Sequence, residues 1–462
     1  MFSAAQGWIA FAVLVVLSAC ITSRNNVAAA TDMLPCDLAL VRGMSSVPDS
    51  FLPRELITTM SATTPATNPN APNARDTLDA TIYLVGDAGY PVEAPASVLA
   101  HVHAQIAAQD AHTRARVHQR QSQQWVVYLG DNAYPRGLPA PDPDSAGHAS
   151  PNTLQTERDR AVCALEQQVE AVPAPARVLF VPGNHDWRPA GCVKALNPRV
   201  ISCIRSLRSK DPTAVKREGD FLNGLANGRV LYRPRGGCPG PDELRIGSRV
   251  VILPFDSEWI LRHADNTPDP NCAGATPRTV IDSLSARMNR VPASDFVIVA
   301  AHHPMRSGGE HGNACGGPSG IAGAAFTEIR KAVEIGEDFS GEEYQLLRKE
   351  LTKHLGAMHR PVAYISGHDH TLQVFADTTS GHQTHYITHY ITSGAGSVGT
   401  QESSCIHWQP GMIYPFSAAH SARETPTGFM RVDVYHPAGV RLSVFTLNNS
   451  GAVSRTALFN LE

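Results

Sequence analysis

The chain has 462 residues, enough for one large domain or two ordinary ones, and 42% of them are hydrophobic, so a sizeable core can be buried. Only 18% are charged and the formal net charge is −3, which excludes the broad basic footprint of a nucleic-acid-binding surface. The one basic cluster, HTRARVHQRQ (112–121), suits the solvated face of a helix.

The chain opens on MFSAAQGWIAFAVLVVLSAC. The apolar run from Trp8 to Leu17 is too short to span a bilayer but fits the hydrophobic region of a signal peptide. Its end, LSAC, resembles the lipobox of bacterial lipoproteins. That resemblance implies a signal over residues 1–20, lipidation at Cys20 as the only membrane attachment, and a place in the periplasm or cell envelope. The segment before the apolar run has no Lys or Arg, and an ordinary signal cleaved near Ala19 would instead give a secreted protein. Apart from Cys20 there are eight cysteines, at 36, 163, 192, 203, 238, 272, 315 and 405. An even number in an exported chain fits disulfides formed in an oxidising compartment. None lies in a CxxC pair; Cys192 and Cys203 are the best-placed local pair, and sequence leaves the connectivity open.

Residues 21–79 read as an N-terminal segment and flexible linker, with TTMSATTPATNPNAPNARDT (58–77) almost free of charge and of large apolar side chains. A single domain is expected over 80–462. It starts with the strand TIYLV (81–85), and the chain then repeats one scheme: an apolar run, a polar motif, a helical segment. Helices are expected over 95–112, 156–172 and 341–359, and strands over 124–130, 176–183, 249–259, 295–304 and 361–367. HYITHYIT (385–392) reads as one strand, and YITSGAGS, GFMRVDVYHP, VRLSVFTLN and AVSRTALFN as a closing meander. The segments 138–152, 188–245 and 306–340 read as loops around a pocket mouth. GGCPGPDE (236–243) reads as a turn that a disulfide could pin. Alternating strands and helices followed by β-rich sequence imply an α/β architecture in layers.

Five motifs follow apolar runs directly: GDAG (86–89), GDNAY (130–134), GNHDW (183–187), AHHP (301–304) and GHDH (367–370). Strand ends are where α/β folds build their sites, and Asp, Asn and His are metal-coordinating side chains. One such motif alone would say little. Five in series are hard to explain by packing.

The order and wording of these motifs, with GHDHTLQ (367–373), AHHPMRSGGEHG (301–312) and YITSGAGS (390–397), resemble the calcineurin-like metallophosphoesterase superfamily. Within it they are most similar to the purple acid phosphatases of the small tartrate-resistant type, over about residues 80–460. The resemblance implies an α/β fold, a four-layer sandwich of two β-sheets flanked by helices, with a dinuclear metal site at the strand ends. It assigns Asp87, Asp131, Tyr134 and His370 to one metal, and Asp131, Asn184, His302 and His368 to the other, with Asp131 shared. His302 rather than His303 is the match, because the family's ligand lies two residues before the proline. His185 and His311 match histidines placed beside the phosphate and outside the metal shell.

These residue types suit the chemistry. One carboxylate can bridge two cations, and neutral Asn and His ligands leave the pair cationic and attractive to phosphate. Metals lower the pKa of bound water, giving hydroxide at mild pH, and polarise phosphoryl oxygens. His311 or His185, as imidazolium, would protonate the leaving alkoxide. A phenol titrates near 10, so Tyr134 binds as phenolate only to a strongly Lewis-acidic ion. This points to Fe(III), with a second divalent metal: Fe, Zn or Mn. The expected substrates are phosphomonoesters, either small molecules or surface groups. Two alternatives stay open: a Mn or Zn enzyme acting on phosphodiesters or nucleotides, and a surface lipoprotein that binds phosphorylated ligands without turnover. Asp256, Trp187 and Trp259 lie near the motifs, and core or loop packing is the default reading for each; His303 could donate a hydrogen bond to phosphate or equally point into the core.

Overall fold

The structure is a computed structural model, and it describes residues 36–42, 77–94, 97–114, 122–141, 151–187, 212–263, 266–309, 311–312, 339, 341–378, 387–397, 406–415, 426–437, 439–448 and 450–461. The signal and lipobox reading of residues 1–20 lies outside these, as do residues 58–76 of the tether, Cys192, Cys203 and most of segments 138–152 and 306–340.

Fourteen strands among the described residues form two seven-stranded sheets. In the first sheet, β1 (Thr77–Val85), β2 (Gln123–Tyr128), β3 (Arg177–Phe180) and β4 (Val230–Tyr232) run parallel. β12 (Gly428–His436) pairs antiparallel with β1, and β13 (Val440–Leu447) and β14 (Val453–Asn460) extend the sheet as a meander. In the second sheet, β6 (Val250–Pro254), β7 (Phe296–Ala300), β8 (Val362–Ser366) and β10 (Ile387–Ser393) are parallel. β5 (Leu244–Ile246), β9 (Leu372–Thr378) and β11 (Met412–Tyr414) add antiparallel edges.

Period-two alternation divides the apolar side chains between two layers. Ile82 and Leu84 on β1, Val127 on β2, Ile252 on β6, Ile298 on β7 and Ile365 on β8 fill one apolar layer built from both sheets. Their neighbours Tyr83, Val85, Val126, Val251, Val299 and Tyr364 turn the other way, into a cluster with the helices. A strand buried on both faces reads as a continuous apolar run, which is why FVIVA and VVILP look as they do. Trimming an inter-sheet residue such as Ile298 to Ala would cost about 2–5 kcal/mol.

Six α-helices are described: α1 (Val98–Arg114), α2 (Pro151–Glu170), α3 (Pro212–Gly224), α4 (Ser257–Arg262), α5 (Pro277–Arg290) and α6 (Glu342–Gly356). Leu99 and Val102 of α1, Leu165 of α2, Leu284 of α5 and Leu347 and Leu351 of α6 belong to the outer apolar cluster, so helices cover the sheets. The result is the expected α/β sandwich of two sheets flanked by helices. None of the helices is long and apolar enough to cross a membrane among the described residues.

Several expectations need correction. The run at 249–259 is not one strand: it ends at Pro254, because Asp256 accepts the Trp259 N–H and caps α4. The segment 390–397 is not part of the closing meander; β10 lies in the second sheet, parallel to β8 and antiparallel to β9. Segment 188–245 is not all loop, since it contains α3, β4 and the start of β5. Two disulfides are described, Cys36–Cys163 and Cys238–Cys272. The second pins the 236–243 turn to the 270–272 turn, and pairs of this kind fit an oxidising compartment. The first ties residues 36–42 to α2, where Arg42 also pairs with Glu170.

Candidate metal centre

All parallel strands of both sheets except β4 and β10 carry one of the five motifs, or Asp256, just past their C-terminal ends. The turns are tight. Asp87 (φ 59°), Asp131 (φ 53°) and His368 (φ 71°) all sit in the left-handed region. That costs of order 1–3 kcal/mol per residue and persists where surroundings over-determine it. Gly130 shows the crowding: a Cβ there would come 2.5 Å from His302 Nδ1.

The structure brings all seven residues assigned as ligands to one place. Asp87 Oδ1 lies 3.1 Å from the Tyr134 hydroxyl and 3.4 Å from His370 Nε2. The same hydroxyl lies 2.9 Å from His370 Nε2 and 3.0 Å from Asp131 Oδ2. On the other side, Asp131 Oδ1 is 3.3 Å from His302 Nε2. Asn184 Oδ1 is 2.9 Å from His302 Nε2 and 3.3 Å from His368 Nδ1, and those two nitrogens are 3.3 Å apart. Asp131 therefore turns one oxygen to each set. Candidate ligand atoms of Asp87, Asp131 and His302 all lie within 4.8 Å of one another, and all three residues are buried.

The chemistry of this donor set fits a cation. His302 places Nδ1 at 2.8 Å from the Leu129 carbonyl oxygen, so that nitrogen carries the proton and Nε2 presents its lone pair to the cluster. Asn184 Oδ1, Asp131 Oδ1 and His302 Nε2 are then acceptors facing acceptors, which is unfavourable without a positive charge among them. The electrostatics show the same demand. Burial alone would lower the His302 imidazole, but the Asp131 and Asp87 carboxylates outweigh it and push it up to about 9. Burial pushes the Asp131 carboxyl up, yet His302 and His185 hold it below the ordinary carboxylate range. The carboxylates thus favour a positive charge at this position, whether a second proton on the His302 ring or a cation among the donors.

His185 and His311 lie beside this cluster. His185 donates its backbone N–H to Asp131 Oδ1 at 2.9 Å. Its Nδ1 is 2.6 Å from the Pro135 carbonyl oxygen, and its Nε2 is 3.9 Å from Asp131 Oδ2. With 30% of its side chain exposed, against 3% for Asp131, it stands at the open side. The His311 ring packs 4.0 Å from that of His368. Tyr134 stacks on Tyr90 at 4.6 Å, so it is both a packed aromatic and a residue with its hydroxyl among the carboxylates.

The packing readings of Asp256, Trp187 and Trp259 hold, and His303 takes the core alternative. Asp256 is buried, caps α4 and accepts the Trp187 indole N–H; burial raises its carboxyl to about 7. His303 is fully buried, 2.8 Å from Ser257 Oγ and 3.6 Å from Glu258. Trp187 and Trp259 are core residues.

Sequence reasoning passed over two acids inside the motifs. Asp186 accepts backbone N–H groups from Gly183, Asn132 and Ala133, at 2.8, 2.8 and 3.2 Å, and the Asn132 amide at 2.9 Å. It thereby joins the turns after β2 and β3. Asp369 lies between His368 and His370 and holds the 307–311 loop, through the Ser307 hydroxyl and the His311 N–H. An acid beside a ligand in a motif was the available signal for both.

No family model matches the chain, and no curated protein matches it. Among solved structures, it resembles a structure of PhoD with a TM-score of 0.48 and 12% identity, over 84% of this chain and 70% of that one. It also resembles the phosphopantetheinyl hydrolase PptH from Mycobacterium tuberculosis, with a TM-score of 0.26 and 12% identity, over 69% of this chain and 90% of that one. Both scores are too low to place the chain in a family.

Proposed function

We propose that the chain is a metal-dependent phosphoesterase with a dinuclear centre, an exported acid phosphatase acting on phosphomonoesters. The observation that carries this reading is the position of Asp131. Its two oxygens face two separate donor sets, Asp87, Tyr134 and His370 on one side and Asn184, His302 and His368 on the other. A carboxylate so placed is suited to bridging, and each set supplies donors for one ion. Bound there, the ions would act as Lewis acids toward water and phosphoryl oxygens.

The protein's own groups do the rest. The turn geometry fixes Asp87, Asp131 and His368 before any ligand arrives, so little reorganisation is needed. Leu129 sets the tautomer of His302. Pro135 anchors His185 by Nδ1, which leaves Nε2 on the open side to hold or give up a proton. His311, whose ring packs at a tilt against that of His368, is the second candidate for the proton a leaving alkoxide needs. Tyr134, whose hydroxyl contacts Asp87, Asp131 and His370, is the residue that favours Fe(III) in its set, with Fe, Zn or Mn in the other.

Metal analysis of the purified protein with a visible spectrum, beside hydrolysis of p-nitrophenyl phosphate and a phosphodiester analogue, tests this. Iron, a charge-transfer band that Tyr134→Phe removes, and preference for the monoester are the expected results. Iron without such a band would reject the phenolate ligand. Diester preference with Mn or Zn would reject the monoesterase. No hydrolysis by the metal-loaded protein would leave a phospho-ligand-binding surface protein.

A further inference from the structure

We infer that Asp369 is a positioning residue that sets His311 against the site by docking the 307–311 loop; this rests on the phosphatase reading above. Asp369 is buried at 1% exposure, yet it lies between two candidate ligands and is not among the atoms that converge on the metal positions. Both of its carboxylate oxygens are directed at one loop. Oδ1 accepts the His311 backbone N–H at 2.9 Å, and Oδ2 accepts the Ser307 hydroxyl. Ser307 Oγ in turn accepts the Gly309 N–H at 2.8 Å, and Gln373 Oε1 accepts the Gly308 N–H at 2.7 Å. Two of the loop's backbone donors are thus held by buried polar groups of segment 369–373, and a third by the Ser307 hydroxyl that Asp369 itself holds.

The approach depends on a missing side chain. A Cβ on Gly309 would stand 2.7 Å from Asp369 Cγ and Oδ1, closer than real contacts allow. The carboxylate can reach the loop because residue 309 is glycine. The consequence appears at the loop's last clamp: His311 is fixed at its backbone, and its ring lies 4.0 Å from that of His368. The GHDH motif therefore does two tasks. Its histidines face the metal positions, and the acid between them aligns a proton donor from another segment.

The test compares wild type with Asp369→Asn, Gly309→Ala, His311→Ala and Asp369→Asn/His311→Ala. Asp369→Asn weakens the clamp from one side, and Gly309→Ala pushes it apart from the other without changing charge. Amide hydrogen exchange in the peptide spanning 305–312 should rise in both variants, with or without metal. In the metal-loaded protein, metal content should match wild type. For p-nitrophenyl phosphate, kcat should fall about 10- to 100-fold, part of what a general acid contributes, and the pH profile should move toward that of His311→Ala. Adding Asp369→Asn to His311→Ala should cost nothing further, because the two act through one group. Unchanged exchange, loss of metal in step with activity, or multiplying effects in the double variant would each overturn the assignment. If wild type hydrolyses nothing, the phosphatase reading fails, and the exchange measurement still decides whether Asp369 holds the loop.

Discussion

Two buried charge clusters in this molecule follow opposite rules. On the helix-facing side of the first sheet, Arg431 lies 3.0 and 3.2 Å from Asp433 Oδ2 and 2.9 Å from Gln105 Oε1, and it rests over the Phe445 ring. Asp433 Oδ1 takes the Thr81 hydroxyl at 3.3 Å, and Gln109 donates to the same Thr81 oxygen. One cation meets one anion, with Gln105 accepting from the first and Thr81 donating to the second. At the strand ends, Asp87, Asp131, Asn184, His302, His368 and His370 instead gather lone pairs around lone pairs. The first cluster is electrostatically complete without a guest. The second is arranged for one.

Asp131→Ala should have the largest effect. It removes the group shared by both halves, and groups acting as a unit lose activity by about a thousandfold or more when one is removed. Metal content by atomic spectroscopy should fall by at least one ion per chain. Retained turnover would show that the two donor sets do not share a carboxylate.

The closed cluster should answer to stability and not to metal. Arg431→Met leaves Asp433 buried with its cation gone, at a cost of about 3–5 kcal/mol. Chemical denaturation measures it. Arg431→Met with Asp433→Leu should recover most of that loss, since apolar replacement of a whole buried pair is often neutral. Metal binding should be unchanged in the double variant. A loss of metal there would mean that the clusters are coupled through β1 and β12.

A third kind of buried polar group lies inside the apolar layer. His389 on β10 faces the same way as Ile391, and its ladder neighbours are Ala363 and Ala376. Among the described residues its Nδ1 has no hydrogen-bond partner, and burial lowers the imidazole to about 4. The unfolded imidazole titrates near 6.5, so between about 4 and 6.5 the unfolded chain binds more protons. Stability then rises with pH across that window, is fully present above it and is lost by its lower end, about 3 kcal/mol in all. His389→Leu should flatten the profile of denaturation midpoint against pH there. An unchanged slope would place the acid sensitivity elsewhere.

What could be read in advance divides along the same lines. The seven ligand candidates were readable because each follows an apolar run, and parallel strands bring their ends together whatever their order. Partners set by non-local pairing were not. Nothing in YITSGAGS says that it pairs with 362–366 and not with the strands that follow it. α3 was missed because PTAVKREGDFLNG mixes charges and glycines, and its inward Glu218 reads as a solvent residue although it is fully buried near Asn132. Asp186 and Asp369 were seen as letters of motifs but not as supports. Composition does not say whether an acid faces a cation or a row of backbone N–H groups.

The smallest effect bears most directly on the contrast between the clusters. If the strand-end cluster needs a guest, metal should stabilise the folded chain by mass action, about 2.7 kcal/mol at a free concentration one hundred times Kd. Thermal unfolding of chelator-treated protein with and without added metal measures this. The shift should vanish in Asp131→Ala and persist in full in Arg431→Met/Asp433→Leu, because only the first variant alters the acceptor set. It should also grow with pH, since a cation bound by His302 Nε2 competes with a proton on that imidazole, which carboxylates push up to about 9. Equal shifts in all three proteins would mean that metal acts elsewhere on the chain. A shift that falls as pH rises would mean that the site binds its guest without giving up a proton, which is incompatible with His302 Nε2 as a ligand.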